Sequence, residues 1–502
     1  MALPILINNM TSDALQYKDI AKSNFVFGGV KIFKTLIQLL KAKFVALLLG
    51  PSGMGIQSLL VSSITTLHLF SSFGIFQSSV KYISGAKDVP EKSKYIKTLL
   101  ILSIILGLFG TLICLLFAQQ ICYSVFGNTE FVWMFYIISF ALFFESVSNA
   151  QIAIFQGVRD VKGLGITSLI VAIMTLVVSL PLYYLGRENA IPYVVVLGYA
   201  ISAFIFTIKG KKYNNRIKLN QFLFKETSKK ILTLGGALML SNCFMSILML
   251  LLNVFINRVG NSADVGLYQA ASACTYSAIS ILIAILTSDY YPRISSVIGD
   301  KNKSSQLLSQ QVDLLLLILT PIIFLMIIFP NLFIRLLYSS EFLVVSRAVQ
   351  IMAISLFFRI IWHSFSFIIL AKGDKKTYLF VDALLGNSLF FLGNIVGFYL
   401  FGINGISISY VVFSFIIMII LGIVVNKKYE IAISPTTRKV ASILLTACLL
   451  IFIFQFIKFF VFKLVLEFVL SMSIISYILI QINKRIGLFD IIKNRFLQRW
   501  KA

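Results

Sequence analysis

Charged residues are scarce in this sequence of 502 residues, and acidic residues are scarcer still. Only 13% of the residues are charged, with 19 Asp and Glu against 44 Lys and Arg, and there are two histidines. A soluble globular domain carries about 25% charged residues. Because 59% of the residues here are hydrophobic, the composition excludes a soluble enzyme, a disordered protein and a coiled coil.

Cysteines with the spacing of metal ligands or of a disulfide framework are also lacking. The five cysteines lie in or beside apolar runs, at positions 114, 122, 243, 274 and 448. In such surroundings cysteine behaves as a small core residue. We therefore predict no metal site, no cofactor and no catalytic residue.

The N-terminus lacks a short apolar segment with a cleavage site, so we expect a retained first helix and no signal peptide.

What the chain does have is long apolar runs. About 20 consecutive apolar residues are enough to cross a bilayer as a helix. Fourteen such stretches are present, at 25–49, 56–80, 98–118, 131–155, 166–184, 191–208, 231–256, 265–287, 312–329, 349–370, 378–400, 406–425, 440–457 and 464–482. The sequence therefore predicts an all-α polytopic membrane protein with about fourteen transmembrane helices.

The basic residues sort to one side of these spans. Alternate segments, beginning with the N-terminus, hold 33 of the 44 Lys and Arg, whereas the opposite segments hold 6. Segments rich in Lys and Arg stay in the cytoplasm. The pattern predicts a multi-pass membrane protein with both termini cytoplasmic. It also explains the net charge of +25 without a nucleic-acid partner.

Landmarks in the first half of the chain recur in the second half. Five pairs have near-constant offsets of 211 to 216 residues: Gly55 and Gly266, Lys81 and Arg293, Glu130 and Glu341, Asp160 and Asp374, Gly186 and Gly402. Six spans per unit is an even number, so the two repeats are parallel. We predict an N-lobe over residues 1–230 and a C-lobe over 231–430. An extra helix pair, spans 13 and 14, and a basic tail occupy 431–502.

Span 1 carries a polar stripe. Lys31, Lys34, Gln38 and Lys41 follow at steps of three, four and three, which places them on an arc of roughly 80° of one helix. A charge inside a span usually faces water, a partner or a substrate. The stripe predicts cavity-lining residues, although Lys31 and Lys41 could also reach outward from the helix ends.

Spans 2 and 8, which the repeat pairs, each carry a polar face. The residues are Ser58, Ser62, Thr65, His68, Ser72 and Ser79 in span 2, and Gln269, Ser272, Tyr276, Ser280 and Thr287 in span 8. Hydroxyl groups in membrane helices also serve close helix packing, and that alternative stays open. The shared pattern favours cavity lining, with Gln269 and Tyr276 as candidate substrate contacts.

Span 10 places Arg359 near mid-depth, on one face with Ser355, His363 and Ser366. An arginine there needs a phosphate, a carboxylate or water, and its guanidinium suits phosphate or pyrophosphate. The alternative is a buried ion pair between Arg359 and a carboxylate, for which the candidates are Glu145, Asp313 and Asp382. The histidines His68 and His363 are candidates for proton relays or for packing.

Several short motifs resemble a known family. They include Leu-Gly-Pro-Ser-Gly-Met-Gly (49–55), Phe-Gly-Asn-Thr-Glu (126–130), Gln-Gly-Val-Arg-Asp (156–160), Val-Gly-Leu-Tyr-Gln (265–269), Tyr-Pro-Arg-Ile-Ser (291–295) and Leu-Ala-Lys-Gly-Asp (370–374). Their order and spacing resemble the bacterial O-antigen translocases. These are Wzx-type polysaccharide flippases of the multidrug/oligosaccharidyl-lipid/polysaccharide (MOP) exporter superfamily.

The resemblance implies a function in lipopolysaccharide biosynthesis. It implies a flippase that moves an undecaprenyl-pyrophosphate-linked oligosaccharide across the inner membrane by alternating access. It also implies that spans 1, 2, 7 and 8 line the cavity and that Lys34, Arg258, Arg293 and Arg359 meet the pyrophosphate. Spans 13 and 14 depart from the twelve-span members and resemble the fourteen-span lipid II flippases.

Two alternatives remain open beside a transporter of this kind. A drug/cation antiporter of the same superfamily needs a cavity lined by carboxylates. A membrane polysaccharide polymerase needs a large outward loop or a carboxylate/metal site, and the outward loops here are short. We expect a monomer that is not an enzyme, works among membrane lipids, and has a polysaccharide polymerase as a candidate partner. Proton or sodium coupling is a further candidate property.

Overall fold

The computed structural model describes residues 12–213, 220–277 and 290–486. All regular elements in these ranges are helical. They form two compact units, residues 1–266 and 267–502, and each unit is described by itself. The helices of the first unit are α1 (Ser12–Ser72), α2 (Ile75–Gly85), α3 (Val89–Leu116), α4 (Ala118–Phe126), α5 (Val132–Gly157), α6 (Val161–Gly186), α7 (Ile191–Gly210) and α8 (Gln221–Val259).

Helix α9 (Ser262–Ser272) crosses the boundary at Gly266 and continues as a π-helical stretch, Ala273–Ser277. The second unit then holds α10 (Tyr290–Val297), α11 (Lys301–Ile328), α12 (Pro330–Leu337), α13 (Ser346–Ala371), α14 (Lys375–Thr377), α15 (Asn387–Tyr429), α16 (Pro435–Phe454) and α17 (Phe460–Ile486). A second π-helical stretch, Tyr378–Gly386, joins α14 to α15.

The prediction of an all-α polytopic membrane protein is confirmed. Among the described residues, nine helical segments are long and apolar enough to cross a membrane, or ten if one bent pair in α8 counts as a span. Several of these segments contain two predicted spans each. Helix α1 turns at Gly50, whose φ is +63°, and α15 turns at Phe401 and Gly402. At both points the backbone leaves the helical conformation, so each of these long elements consists of two helices joined at a kink, and the count of fourteen stays a prediction.

The helix packing of each unit is dense in its central helices. In the first unit α5 packs against α3 and α7, and α1 packs against α6 and α8. In the second unit α13 is buried along most of its length and packs against α11 and α15. The extra helices α16 and α17 pack against each other and against α11. Helix α8, which the repeat assigns to the C-lobe, packs within the first unit.

The glycines that the repeat pairs, Gly55 and Gly266, lie backbone to backbone. A Cβ atom on Gly55 would collide with the carbonyl of Ser262, and one on Gly266 would collide with the carbonyl of Pro51. Only glycine permits so close an approach of two backbones. The predicted landmark therefore marks a tight crossing of α1 and α9.

A second repeat pair, Asp160 and Asp374, occupies matching sites in the two units. Asp160 caps α6 through the Gly163 amide (2.8 Å) and accepts hydrogen bonds from Lys212 Nζ (2.9 Å) and the Tyr213 hydroxyl. Asp374 caps α14 through the Thr377 amide (3.1 Å). It accepts hydrogen bonds from Lys428 Nζ (2.5 Å) and the Tyr429 hydroxyl (2.8 Å). Each Lys-Lys-Tyr sequence thus ties the end of one helix to the start of another.

These donors change the acidity of both carboxyl groups. Burial alone would raise the pKa of Asp160, but the donors Tyr213 and Lys212 outweigh it and lower the pKa to about 2. The Lys428 ammonium likewise holds the pKa of Asp374 well below its usual range. A carboxyl group whose pKa is lower in the folded state stabilises the fold above its unfolded-state pKa.

We predict that the melting temperature of the protein falls as the pH drops from about 4, the pKa of an unperturbed aspartate, towards about 2, the folded-state pKa of Asp160. Asp160→Asn and Asp374→Asn should each lower the melting temperature at neutral pH and flatten this acid slope. Thermal unfolding in detergent over that pH range measures both effects. Asp88→Asn is the control, because Asp88 caps α3 with no lysine partner among the described residues. An acid slope unchanged in both cap variants would contradict the prediction.

Candidate functional site

Arg359 lies in the second unit on α13, close to the middle of that helix, and it is half-buried. Aromatic rings surround its guanidinium group. The Cζ atom is 4.4 Å from the centroid of the Tyr276 ring, 5.5 Å from that of Trp362 and 5.7 Å from that of Phe390. A cation within about 6 Å of a ring centroid is attracted by the ring's negative face. Aromatic faces therefore provide the surroundings of this charge.

The rings around Arg359 are held by one another. Tyr276 stacks on Tyr410 at 5.0 Å, and the Tyr410 hydroxyl is 3.0 Å from that of Tyr268. Phe390 stacks on Trp362 at 5.6 Å and meets Tyr410 edge-on at 5.4 Å. We call Tyr276, Trp362, Phe390 and Tyr410 the aromatic box. Its members come from the π-helical stretch after α9, from α13 and from α15.

None of the carboxylates described in the second unit forms an ion pair with Arg359. Asp382 accepts a hydrogen bond of 2.5 Å from the Trp362 indole N–H, and Asp313 accepts two from Arg485, at 2.7 and 3.0 Å. The buried ion pairs proposed as an alternative for these two aspartates are thus not formed. The second unit holds a cation that no counter-ion in its described residues neutralises.

Of the other predicted site residues of the second unit, His363 lies beside the aromatic box and Arg293 lies apart from it. The His363 ring stacks on Trp362 at 5.7 Å, so the structure brings Arg359, His363 and Tyr276 together. Arg293 is exposed and lines a separate cavity of about 570 Å³ with Gln310, Gln311 and Arg485. Gln269 is half-buried on α9.

In the first unit, Arg258 donates hydrogen bonds to backbone carbonyls at the end of another helix, α4. Its guanidinium donates hydrogen bonds to the carbonyls of Tyr123 and Ser124, the latter at 3.0 Å, and Asn257 donates to the carbonyl of Val125 at 3.3 Å. These carbonyls belong to the last turn of α4, where carbonyls lack partners within the helix, and that of Tyr123 also accepts from the Gly127 amide at 3.0 Å. Arg258 and Asn257 therefore dock the end of α8 on α4. The predicted contact of Arg258 with pyrophosphate stays a prediction.

The lysine stripe of span 1 lies on α1. Lys41 is half-buried. Lys31 and Lys34 lie on the same helix, but their side chains are outside the described part of the structure. Further along α1, Ser62 and Thr66 contact α8: Asn253 donates to the Ser62 hydroxyl at 3.5 Å, and Thr66 donates to the Ser246 carbonyl at 3.4 Å. This part of the polar face thus contributes to helix packing.

A second buried polar group lies in the first unit. His68 Nδ1 is 3.7 Å from Glu145 Oε1, and both residues are at most 8% exposed. The other carboxylate oxygen, Oε2, has no hydrogen-bond partner among the described residues. Glu145 and Arg359 are 214 residues apart, the offset of Asp160 and Asp374, and they occupy the same position of the two helices that begin at Val132 and Ser346. The two repeats therefore carry opposite charges at one position.

Sequence reasoning found Arg359 but missed most of the aromatic box. Trp362 lies three residues after Arg359, so helical spacing alone places it on the same face. Tyr410, Tyr268 and Phe390 come from other helices, and no spacing in the sequence connects them to Arg359. The pairing of His68 with Glu145 was missed for the same reason.

The fold is similar to those of solved membrane transporters. They include the lipid II flippase MurJ in an inward closed conformation, with a TM-score of 0.67 and 14% identity over 92% of this chain and 99% of that one. A multidrug resistance MATE family transporter in an inward-facing conformation gives a TM-score of 0.62 and 17% identity, over 82% and 95% of the two chains. At such identities the likeness shows the fold alone.

The family follows from the sequence. The model of the family described as "Polysaccharide biosynthesis protein" matches residues 44–347, and this chain belongs to that family. Curated relatives are the lipid III flippases of Escherichia coli (strain K12) and Shigella flexneri, each 27% identical over 192 residues. That alignment covers 36% of this chain, and the chain spans 46% of the length of these relatives.

We predict that Arg258→Ala lowers the stability of the protein by about 1 kcal/mol, because the exposed carbonyls of α4 lose a charged donor. Thermal unfolding of the purified protein in detergent measures the change. Arg438→Ala is the control, since Arg438 is also exposed and its side chain has no hydrogen bond in the described ranges. Equal melting temperatures for the two variants would mean that Arg258 does not hold α8 on α4.

Proposed function

We propose that the protein is a flippase for a polyprenyl-pyrophosphate-linked oligosaccharide, of the kind used in O-antigen or related polysaccharide synthesis. The observation that carries this proposal is Arg359, a half-buried cation on a membrane-spanning helix without a carboxylate partner among the described residues of its unit. Guanidinium binds the paired oxygens of a phosphate with two parallel hydrogen bonds. The family and the lipid III flippase relatives support a lipid-linked glycan as the cargo.

The charges of the second unit favour an anionic substrate. Each of the described carboxylates named here has a donor: Asp313 has Arg485, Asp382 has the Trp362 indole, and Glu467 has Gln455 at 2.5 Å. Arg359 has no carboxylate partner among the described residues of this unit, and it is the cation that we assign to the ligand. In this proposal the pyrophosphate binds Arg359, the sugars occupy the polar cavity, and the polyprenyl tail stays in the lipid.

Transport of this kind needs no bond chemistry. A carrier moves its cargo by binding it with different strengths in two conformations. The proposal includes the orientation with both termini in the cytoplasm and a location in the bacterial inner membrane. Lys31, Lys34 and Lys41 on α1 are further proposed pyrophosphate contacts, as are Arg258 and Arg293, with Gln269 as a proposed sugar contact. Coupling to protons or sodium, a polymerase partner and a monomeric state stay predictions.

One observation favours a second candidate, the drug/cation antiporter. Glu145 is buried in the first unit and has one oxygen without a hydrogen-bond partner among the described residues. Such a carboxylate suits a cationic substrate or a proton. The two candidates differ in the sign of the cargo, so the same preparation separates them: an organic cation and a lipid pyrophosphate are offered to identical proteoliposomes.

We predict that Arg359→Gln slows flipping of a labelled polyprenyl-pyrophosphate oligosaccharide at least tenfold, because a neutral amide cannot replace the guanidinium at a diphosphate. Arg359→Lys should retain part of the rate. The assay uses proteoliposomes and reads the leaflet of the glycan with a lectin that cannot cross the membrane. Mass spectrometry of the recovered glycan, expected unchanged, separates flipping from polymerisation.

Arg347→Gln is the matched control. Arg347 lies on the same helix, is also half-buried, and is covered by the rings of Phe452 and Phe456 at 4.7 and 4.0 Å. Its replacement should leave flipping within about twofold of the native rate, a difference of about 0.4 kcal/mol. An Arg359→Gln protein that flips as fast as the native protein would remove Arg359 from the proposed site.

A further inference from the structure

Arg359 is half-buried among three aromatic rings, and one of them is closer to it than the other two. The centroid of the Tyr276 ring is 4.4 Å from the guanidinium carbon, more than 1 Å closer than those of Trp362 and Phe390. A diphosphate that binds the guanidinium has to compete with this ring for the space around it.

The aromatic box differs from a counter-ion in one respect. A carboxylate would neutralise Arg359, and a substrate would then have to break an ion pair in a medium of low dielectric constant, where ion pairs are strong. Aromatic faces attract the cation but leave its net charge at +1. The box therefore stabilises a buried guanidinium and keeps its charge available for an anion.

The rings of the aromatic box differ in the contacts that hold them. Trp362 is on the same helix as Arg359 and donates its indole N–H to Asp382 at 2.5 Å, and Phe390 stacks on Trp362. Tyr276, in contrast, lies outside α13, in the first of the two described π-helical stretches, Ala273–Ser277. Its hydroxyl is bonded to that of Ser355, one turn before Arg359 on α13. π-Helical turns are rare and occur frequently at functional sites. Of the two rings that reach Arg359 from outside α13, Tyr276 is thus the closer one, and it lies in a π-helical turn.

We propose that Tyr276 is an exchangeable cover, which occupies the face of Arg359 in the substrate-free carrier and gives way when a diphosphate binds. This inference rests on the proposed function and adds a residue that sets the affinity of the site. The cover stabilises the empty state, in which a bare cation inside the membrane is costly. Each binding event then exchanges a cation–ring contact for a cation–diphosphate contact.

The test is the affinity of the purified full-length protein for inorganic pyrophosphate, measured by titration calorimetry, together with the rise in melting temperature that pyrophosphate produces. Tyr276→Leu removes the competing ring, so we expect pyrophosphate to bind roughly three- to tenfold more tightly. The same variant should melt at a lower temperature without ligand and show a larger ligand-induced rise. Tyr276→Phe and Ser355→Ala keep the ring but release its hydroxyl, and should increase the affinity to a smaller extent.

Phe456→Leu is the matched control, because Phe456 covers Arg347 at 4.0 Å in the same manner. It should lower the melting temperature without changing the affinity for pyrophosphate. If Tyr276→Leu, Tyr276→Phe and Ser355→Ala all bind pyrophosphate more weakly than the native protein, then Tyr276 is a ligand contact and the proposal of an exchangeable cover is wrong. Unchanged affinity in all three would also overturn it. Should Tyr276→Leu fail to fold, the Tyr276→Phe and Ser355→Ala results decide. Unchanged pyrophosphate binding by Arg359→Gln would instead contradict the proposed function, in which Arg359 binds the pyrophosphate.

Discussion

An arginine in the middle of an apolar helix is the constraint on which the rest of the second unit depends. Leaving such a charge bare inside a membrane costs several kcal/mol by the lowest estimates. Helix α13 is buried along most of its length, between α11 and α15, and Arg359 is half-buried on it. The chain meets this cost with four aromatic residues from three segments. The π-helical stretch, the stacked tyrosines and the indole bond to Asp382 all position those rings.

Comparison with the other arginines shows that this environment is specific. Arg485 forms an ion pair with Asp313 at 2.7 Å and thereby fixes α17 on α11. Arg258 donates to the carbonyls at the end of α4. Arg347 is covered by aromatic rings as Arg359 is, but one of its nitrogens also donates to Gln350 at 3.1 Å. Among these four, Arg359 is the one whose described partners are all aromatic side chains.

The sequence predicted the parts of this structure that depend on local pattern. Apolar runs predicted the helical membrane fold, and residue spacing along span 10 predicted that Arg359 and His363 share a site. The repeat predicted the matching environments of Asp160 and Asp374. Features that depend on packing between distant segments could not be predicted, and the partners of Arg359, which come from three segments, are an example. Hydropathy separates the spans around Gly50 and Gly402 but does not show that a kink joins them. Likewise, the docking of Arg258 on α4 depends on backbone carbonyls, which carry no signal in the sequence.

The repeat adds an argument about how the two units differ. The helix that carries Glu145 and the helix that carries Arg359 are equivalent, and each of these residues meets a ring from the preceding polar span: His68 in the first unit and Tyr276 in the second. Both positions thus carry a charged residue in contact with a ring, while the sign of the charge is reversed. A duplicated fold that kept one charge at both positions would bind the same kind of ligand twice. Opposite charges at equivalent positions give one unit the chemistry of an anion site and the other that of a cation site, and the diphosphate of a lipid-linked glycan suits the second unit.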